Sequence, residues 1–292
     1  MKLERYKTAV EFLNRTQRIL EEDELANNLV LGIALRLKDG YSYGVDAPYL
    51  AVVEDGGVPV LMAVMTPPHR LLLTGNDEKR NETISLLAAD LVSTYPKTSG
   101  VLARRAFSER FAEQWARMTG VDARIWMNQR LYRLTEVKPT REAKGTMRSA
   151  EKDDMEFLLD WAYAMNVEIK EKASREMVCK SVESHINNRS LYLWTNEVPV
   201  SMAASARPLR NGITINLVYT PPKYRRHGYA TACVSSLCKK LLENGYRYCS
   251  LYADLVNRTS NSIYLKIGFE PVYDFVEYNF ITHLKTSHLQ TT

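Results

Sequence analysis

Residues 216–231 read Asn-Leu-Val-Tyr-Thr-Pro-Pro-Lys-Tyr-Arg-Arg-His-Gly-Tyr-Ala-Thr. Upstream, Ile213, Ile215, Leu217 and Tyr219 alternate with Thr214, Asn216 and Val218 in β-branched and aromatic types, which predicts a strand inside a sheet. Pro221 and Pro222 stop it, because neither has an N–H to give a ladder. Beyond Gly228, Ala230, Cys233, Val234, Leu237, Cys238, Leu241 and Leu242 recur on one helical face, which Asn244-Gly245 closes. A strand that turns directly into a helix N-terminus leaves unpaired N–H groups and the positive end of the helix dipole facing the turn, so an anion is stabilised there. Gly228 allows close approach, and Arg225 and Arg226 add cationic forks suited to phosphate oxygens. With one glycine, the loop is neither Gly-x-Gly-x-x-Gly nor a P-loop.

The spacing Arg225-x-x-Gly228-x-Ala230 after a Val-Tyr-x-Pro strand end resembles the acyl-CoA pyrophosphate loop of the GCN5-related N-acetyltransferase (GNAT) superfamily. A second block, Asn257-(six residues)-Tyr264-x-x-x-Gly268-Phe269, resembles another signature of that superfamily, and one helix and one strand separate the two. The resemblance covers about Met147 to Phe280. It implies that the central strand at Leu217 to Tyr219 splays from its neighbour near Leu251, and that the pantetheine arm of acetyl-CoA fills the opened backbone positions. Cofactor-binding residues implied in this way are Leu217, Val218, Tyr219, Arg225, Arg226, His227, Gly228, Tyr229, Ala230, Thr231 and Asn257. A backbone N–H near Val218 would hold the thioester carbonyl. Tyr264 is the expected general acid, since a phenol is protonated at neutral pH and can donate to a departing thiolate. Each residue also has a plainer reading: Tyr264 as a half-buried helix aromatic, Asn257 as a helix cap, His227 as a group facing phosphate or solvent. Where the superfamily often carries a glutamate, the central strand offers only Thr214 and Asn216. A base would then be a relayed water, Glu168 or Glu171, and Trp161 and Tyr163 either line an acceptor pocket or face a core.

A chain of 292 residues suits two domains, each able to bury its own core. Helical patterns at about Glu4–Leu20 and Asp23–Leu37 precede a hairpin of Tyr49–Glu54 and Val58–Met65 turning at Asp55-Gly56-Gly57. Then come a strand at 70–73, a helix over 79–91, a strand at 100–103, a helix over 107–118 and a strand near 125–134. The polar segment from Val137 to Gly145 reads as a linker. After it the order begins again: helices at about 152–165 and 174–187, a hairpin of Leu191–Trp194 and Val198–Ala206, the central strand, its helix, and a strand at 247–254. Val58-Pro-Val-Leu-Met-Ala63 matches Val198-Pro-Val-Ser-Met-Ala203 at an offset of 198 − 58 = 140, and the recurring order predicts an internal duplication. The expected fold is α/β, two tandem GNAT-like domains, each a mixed, mostly antiparallel sheet flanked by helices. Domain 1–137 is the degenerate copy, because its turn reads Leu73-Thr-Gly-Asn-Asp-Glu-Lys-Arg80, with two acids where a pyrophosphate would be repelled, and Ala116 stands opposite Tyr264. Domain 146–285 is the catalytic copy, and the first is expected to pack against it.

The net charge of +5 suits a ligand with several phosphates but forms no basic stripe for nucleic acid. Cys179, Cys233, Cys238 and Cys249 lack Cys-x-x-Cys spacing and read as reduced core residues. The histidines, His283 and His288 included, have no metal-ligand spacing. With no leader and no membrane-length apolar run, a cytoplasmic protein is expected. The function expected is direct acetyl transfer from acetyl-CoA to a primary amine, most simply of a small molecule, with no metal, nucleic acid or membrane partner and the oligomeric state open. The rival readings are a non-catalytic acyl-CoA-binding sensor and a scaffold without a cofactor.

Overall fold

The computed structural model describes residues 1–171 and 173–282. The chain divides into two compact units: Met1–Arg130 together with the segment from Tyr273, and Leu131–Val272. The boundary differs from the one drawn at residues 137 and 146. The last strand, β12 (Glu270–Ile281), belongs from Tyr273 on to the first unit, where Phe275–Asn279 pair antiparallel with Arg104–Gly100. That long-range pairing leaves no trace in local periodicity. The linker segment likewise falls inside the second unit, and residues 283–285 lie outside the described residues, as do His283 and His288.

The first unit runs β1 (Lys2–Arg5), α1 (Ala9–Glu22), α2 (Glu24–Lys38), β2 (Tyr49–Asp55), β3 (Val58–Met65), β4 (Leu71–Gly75), α3 (Arg80–Thr94), β5 (Gly100–Arg104), α4 (Arg105–Thr119) and β6 (Asp122–Leu134), the last crossing the unit boundary after Arg130. The first residues are strand rather than helix. Lys2–Arg5 pair with Glu54–Ala51, and α1 starts only where Thr8 and Glu11 close a capping box. A charged edge strand of four residues has no apolar alternation to betray it. The second unit repeats the order with β7 (Thr146–Ser149), α5 (Met155–Glu168), α6 (Arg175–Asn187), β8 (Leu191–Asn196), β9 (Val198–Ala206), β10 (Gly212–Tyr219), α7 (Tyr229–Glu243), β11 (Tyr248–Asp254) and α8 (Arg258–Ile267).

Each unit has antiparallel pairs along β1-β2-β3-β4 or β7-β8-β9-β10, followed by one parallel pair, β4 with β5 or β10 with β11. This is the mixed, mostly antiparallel sheet expected. The duplication extends to an irregularity. Both hairpins shift register before the matched proline, so that Glu54 faces Pro59 and Thr195 faces Pro199. A proline cannot donate to a ladder, and a bulge relieves the lost bond.

The first core gathers Phe107, Phe111 and Trp115 of α4 and Ile84 and Leu87 of α3 against β2 to β5. In the second unit the apolar face of α7, including Val234, Leu237 and Leu241, packs on β8 to β11 with Tyr264, Ile267 and Phe269. On the opposite face α5 and α6 bury Leu158, Ala162, Val178 and Val182 on Leu193 and Met202. All four cysteines are unbridged; Cys233, Cys238 and Cys249 are buried as expected, whereas Cys179 is partly exposed on α6 rather than in the core. No helix among the described residues is long and apolar enough to cross a membrane, and the described residues contain no His/Cys/Asp/Glu group able to hold a metal ion.

Candidate functional site

The parallel pairing of β10 with β11 ends at Thr214 opposite Ser250. Against β9, the register of β10 jumps between Asn216 and Tyr219, leaving Leu217 and Val218 without a partner residue on either neighbour. Leu217 takes a φ of +48°, an uncommon conformation for a side chain branched at Cγ, and it marks the distortion. The strand therefore opens where the resemblance requires a splay.

Past Pro221, a single 3-10 turn at Pro222–Tyr224 leads through Arg225 to Gly228, which adopts φ +83° as the residue before α7. No side chain caps α7, as none caps α3, α4 or α5, whereas Thr8, Asp23, Ser174 and Asn257 cap α1, α2, α6 and α8. Its first N–H groups are thus left to water or a ligand. Among the described residues a Cβ built on Gly228 would meet nothing within 4 Å beyond its chain neighbours except the Ala143 Cβ at 3.8 Å, so the glycine forms an open cradle.

Both features border a cavity of about 580 Å3. Of the residues implied by the resemblance, Val218, Tyr219, Arg225, Arg226, Gly228, Tyr229, Ala230, Thr231, Asn257 and Tyr264 line it. Two do not. Leu217 turns its side chain to the core under α5 and offers only backbone, and His227 stacks on the Tyr229 ring at 5.6 Å, outside the lining. Asn257 uses its Oδ1 to accept from the Ser260 N–H at 3.0 Å, so the cap reading describes it and its amide NH2 is what remains for a ligand.

Tyr264 sits on α8, buried to 7% exposure between the rings of Tyr132 and Phe269. Burial raises its phenol above the ordinary value, and the nearby Cys238 adds to the effect. Its hydroxyl makes no hydrogen bond among the described residues and borders the cavity, so it holds its proton at neutral pH with a donor to spare. Gly120 and Gly268 both cap in the left-handed conformation, with their N–H groups on Ala116 O and Tyr264 O, which places Ala116 where the second unit has Tyr264.

Sequence reasoning missed Met165, Ile169, Thr220, Tyr224, Thr259, Ser260 and Ile263 of the lining. Only Thr259 and Ser260 had a local signal, as the polar first turn after a cap. Glu168, one of two acids considered for a base, borders the cavity, and Glu171 does not. The Glu168 carboxylate accepts from Arg225 Nη2 at 2.6 and 2.9 Å, and Arg225 Nε donates to Thr220 O. Tyr219 Oη donates to Glu168 at 3.4 Å, and its burial and Glu168 both raise the Tyr219 phenol. Arg225 is thus tied to α5 rather than free above the loop. Trp161 packs on Phe157 and Tyr219 without lining the cavity, as the core reading has it, whereas Tyr163 is exposed and belongs to neither cavity nor core.

Among its described residues the first unit lacks the register break seen between β9 and β10. β4 pairs with β3 in unbroken register, and Arg104 Nη2 donates to Gly75 O at 3.0 Å while its Nη1 reaches Asp77 at 3.1 Å, spanning the ends of β4 and β5. Acids at Asp77 and Glu78 stand before α3.

A model of the family described as GNAT acetyltransferase matches residues 191–278. No curated protein matches the chain. Among solved structures, a GNAT-family acetyltransferase from Colwellia psychrerythraea superposes with a TM-score of 0.61 at 12% identity, covering 96% of this chain and 100% of that one. A tandem GNAT protein from the clavulanic acid biosynthesis pathway does so at 0.60 and 13%, covering 95% and 98%. A GCN5-related N-acetyltransferase from Sphaerobacter thermophilus does so at 0.60 and 15%, covering 97% of each chain. Identities this low speak for fold, and they do so along the whole length of both partners. The chain has a tandem GNAT fold, and the match to the GNAT acetyltransferase family model falls on residues 191–278, most of them in the second unit.

Proposed function

We propose that the second unit transfers an acetyl group from acetyl-CoA directly to a primary amine of a small-molecule acceptor. The observation that carries the reading is the convergence on one cavity of an uncapped helix N-terminus behind a glycine cradle, an interrupted central strand and a buried, protonated phenol. These residues fit the ligand. The free N–H groups at the start of α7 suit a pyrophosphate, the unpaired backbone of Leu217 and Val218 suits the amides of a pantetheine arm, and no metal is called for. Bound acetyl-CoA supplies an activated thioester carbonyl. The Val218 N–H, left without a strand partner, would donate to the carbonyl oxygen, a bond that strengthens as negative charge grows there. Tyr264 Oη would give its proton to the sulfur as the amine nitrogen bonds to the acyl carbon and the C–S bond breaks; the amine's own proton would go to solvent or a water held in the cavity, and the phenolate would take a proton back from solvent. Such a protein works in the cytoplasm, where acetyl-CoA is made and used.

Thermal unfolding with and without acetyl-CoA tests the binding half. Ligand at a hundred times its Kd adds about 2.7 kcal/mol of stability. CoA release with a panel of amines tests the transfer half. Stabilisation without release by any amine would favour the sensor reading, and no stabilisation would refute both.

A further inference from the structure

The segment from Lys138 to Gly145 is a fixed strap of the second unit. At its start the Lys138 N–H donates to Ile267 O at 2.8 Å, and the Lys138 side chain covers Gly268. At its end Lys144 O accepts from Trp194 Nε1 at 3.0 Å, and Gly145 lies against Thr195 O. Between them Val137 and Ala143 pack on the core, and the Ala143 Cβ lies 3.8 Å from where a Cβ on Gly228 would stand. The strap carries Lys138, Arg141 and Lys144 against a single acid, Glu142. All four charged side chains are exposed, and none forms an ion pair among the described residues.

This inference rests on acetyl-CoA as the ligand. Its thioester end must reach the opened part of β10 and Tyr264, and its pyrophosphate the cradle of Gly228. The nucleotide end then leaves beyond the cradle, and the strap meets the cradle at Ala143, next to Lys144 and two residues from Arg141. That end carries a third phosphate, a monoester on the ribose 3′ oxygen with nearly two negative charges at neutral pH. Arg offers a fork to such a group and Lys a point charge. We propose that Arg141 and Lys144 of this strap form the binding site for the 3′-phosphate of CoA.

Dephospho-CoA lacks only that phosphate, so it separates this site from every other contact. The experiment titrates CoA and dephospho-CoA into the full chain and into the double variant Arg141→Ala/Lys144→Ala, at fixed ionic strength. Two exposed charge contacts at about 0.2 to 1 kcal/mol each correspond to roughly a 2- to 30-fold preference for CoA in the natural protein. The double variant should lose that preference, with dephospho-CoA affinity changed less than about 2-fold. Charge reversal, Arg141→Glu/Lys144→Glu, should make dephospho-CoA the better ligand. Both pairs are exposed, and the Trp194 bond is to backbone, so the fold is kept; unchanged unfolding temperatures verify this. Equal affinities of the natural protein for the two ligands, or equal losses in the variant, would overturn the strap site and leave the cofactor reading standing. Failure of the natural protein to bind either ligand would overturn both.

Discussion

Replacing Gly228 tests the cradle with two substitutions that share one cost. At φ +83° any side chain with a Cβ is strained, by about 1 to 2 kcal/mol. Gly228→Ala adds only that strain, because its Cβ would stand 3.8 Å from Ala143, an ordinary contact. Gly228→Trp carries the same backbone cost and projects an indole into the space before the first N–H groups of α7. For a unit of this size the strain lowers the unfolding temperature by roughly 3 to 8 °C in both variants. The ligand response should separate them. In differential scanning fluorimetry with saturating acetyl-CoA, Gly228→Ala keeps a stabilisation near that of the natural protein, and Gly228→Trp shows none. Retained stabilisation in Gly228→Trp would refute the placement of the pyrophosphate. Loss in both would mean that backbone distortion, and not the occupied cradle, governs binding.

Tyr264→Phe removes a hydroxyl without disturbing the rings of Tyr132 and Phe269; acetyl-CoA affinity should hold within about 2-fold while turnover with any accepted amine falls by roughly 10²- to 10⁴-fold, and an unchanged rate would remove Tyr264 from the mechanism. Glu168→Gln frees Arg225 for an anionic ligand; both side chains are nearly half exposed, so the pair is worth at most about 1 kcal/mol. Titration calorimetry should then show acetyl-CoA binding about 2- to 5-fold tighter, and weaker binding would show that the pair is a strut for the loop. Asp154→Asn breaks a fork to Arg148 at 2.6 and 2.8 Å and a bond from the Glu151 N–H at 2.8 Å, costing about 2 to 3 kcal/mol in urea unfolding at pH 7. The Arg148 bond, chiefly, lowers the Asp154 carboxyl in the folded state, so its contribution is present above the unfolded value of about 3.9 and lost as pH falls through the folded one. The gap between the two proteins should therefore close below about pH 4, and a constant gap would contradict the assignment.

What the sequence made legible was local. The turn from β10 to α7, the αL glycines at 120 and 268 and the duplicated hairpins each lie within a few residues of their own signals. The order of elements followed from these, with the short polar strands β1 and β7 absent because an edge strand of charged residues pairs through backbone alone. What stayed hidden depends on residues far apart in the chain. Nothing near Arg104 announces that it reaches Gly75 and Asp77, or near Glu168 that it meets Arg225 some 57 positions on. Composition marked residues 137–145 as a linker between domains, yet the segment lies within the second unit, where Lys144 O accepts from Trp194 Nε1 and Lys138 packs on Gly268. The same distance effect moved the boundary of the units, since β12 pairs with a strand from the first half.

The central claim is that one copy of the duplicated fold binds acetyl-CoA and the other does not. Isothermal titration of acetyl-CoA into the full chain measures this directly through its stoichiometry. One site per chain, abolished by Gly228→Trp, is the result expected from an open β10 beside an uncapped α7 and a first unit spanned by Arg104. Two sites per chain, or a single site that survives Gly228→Trp, would contradict the account.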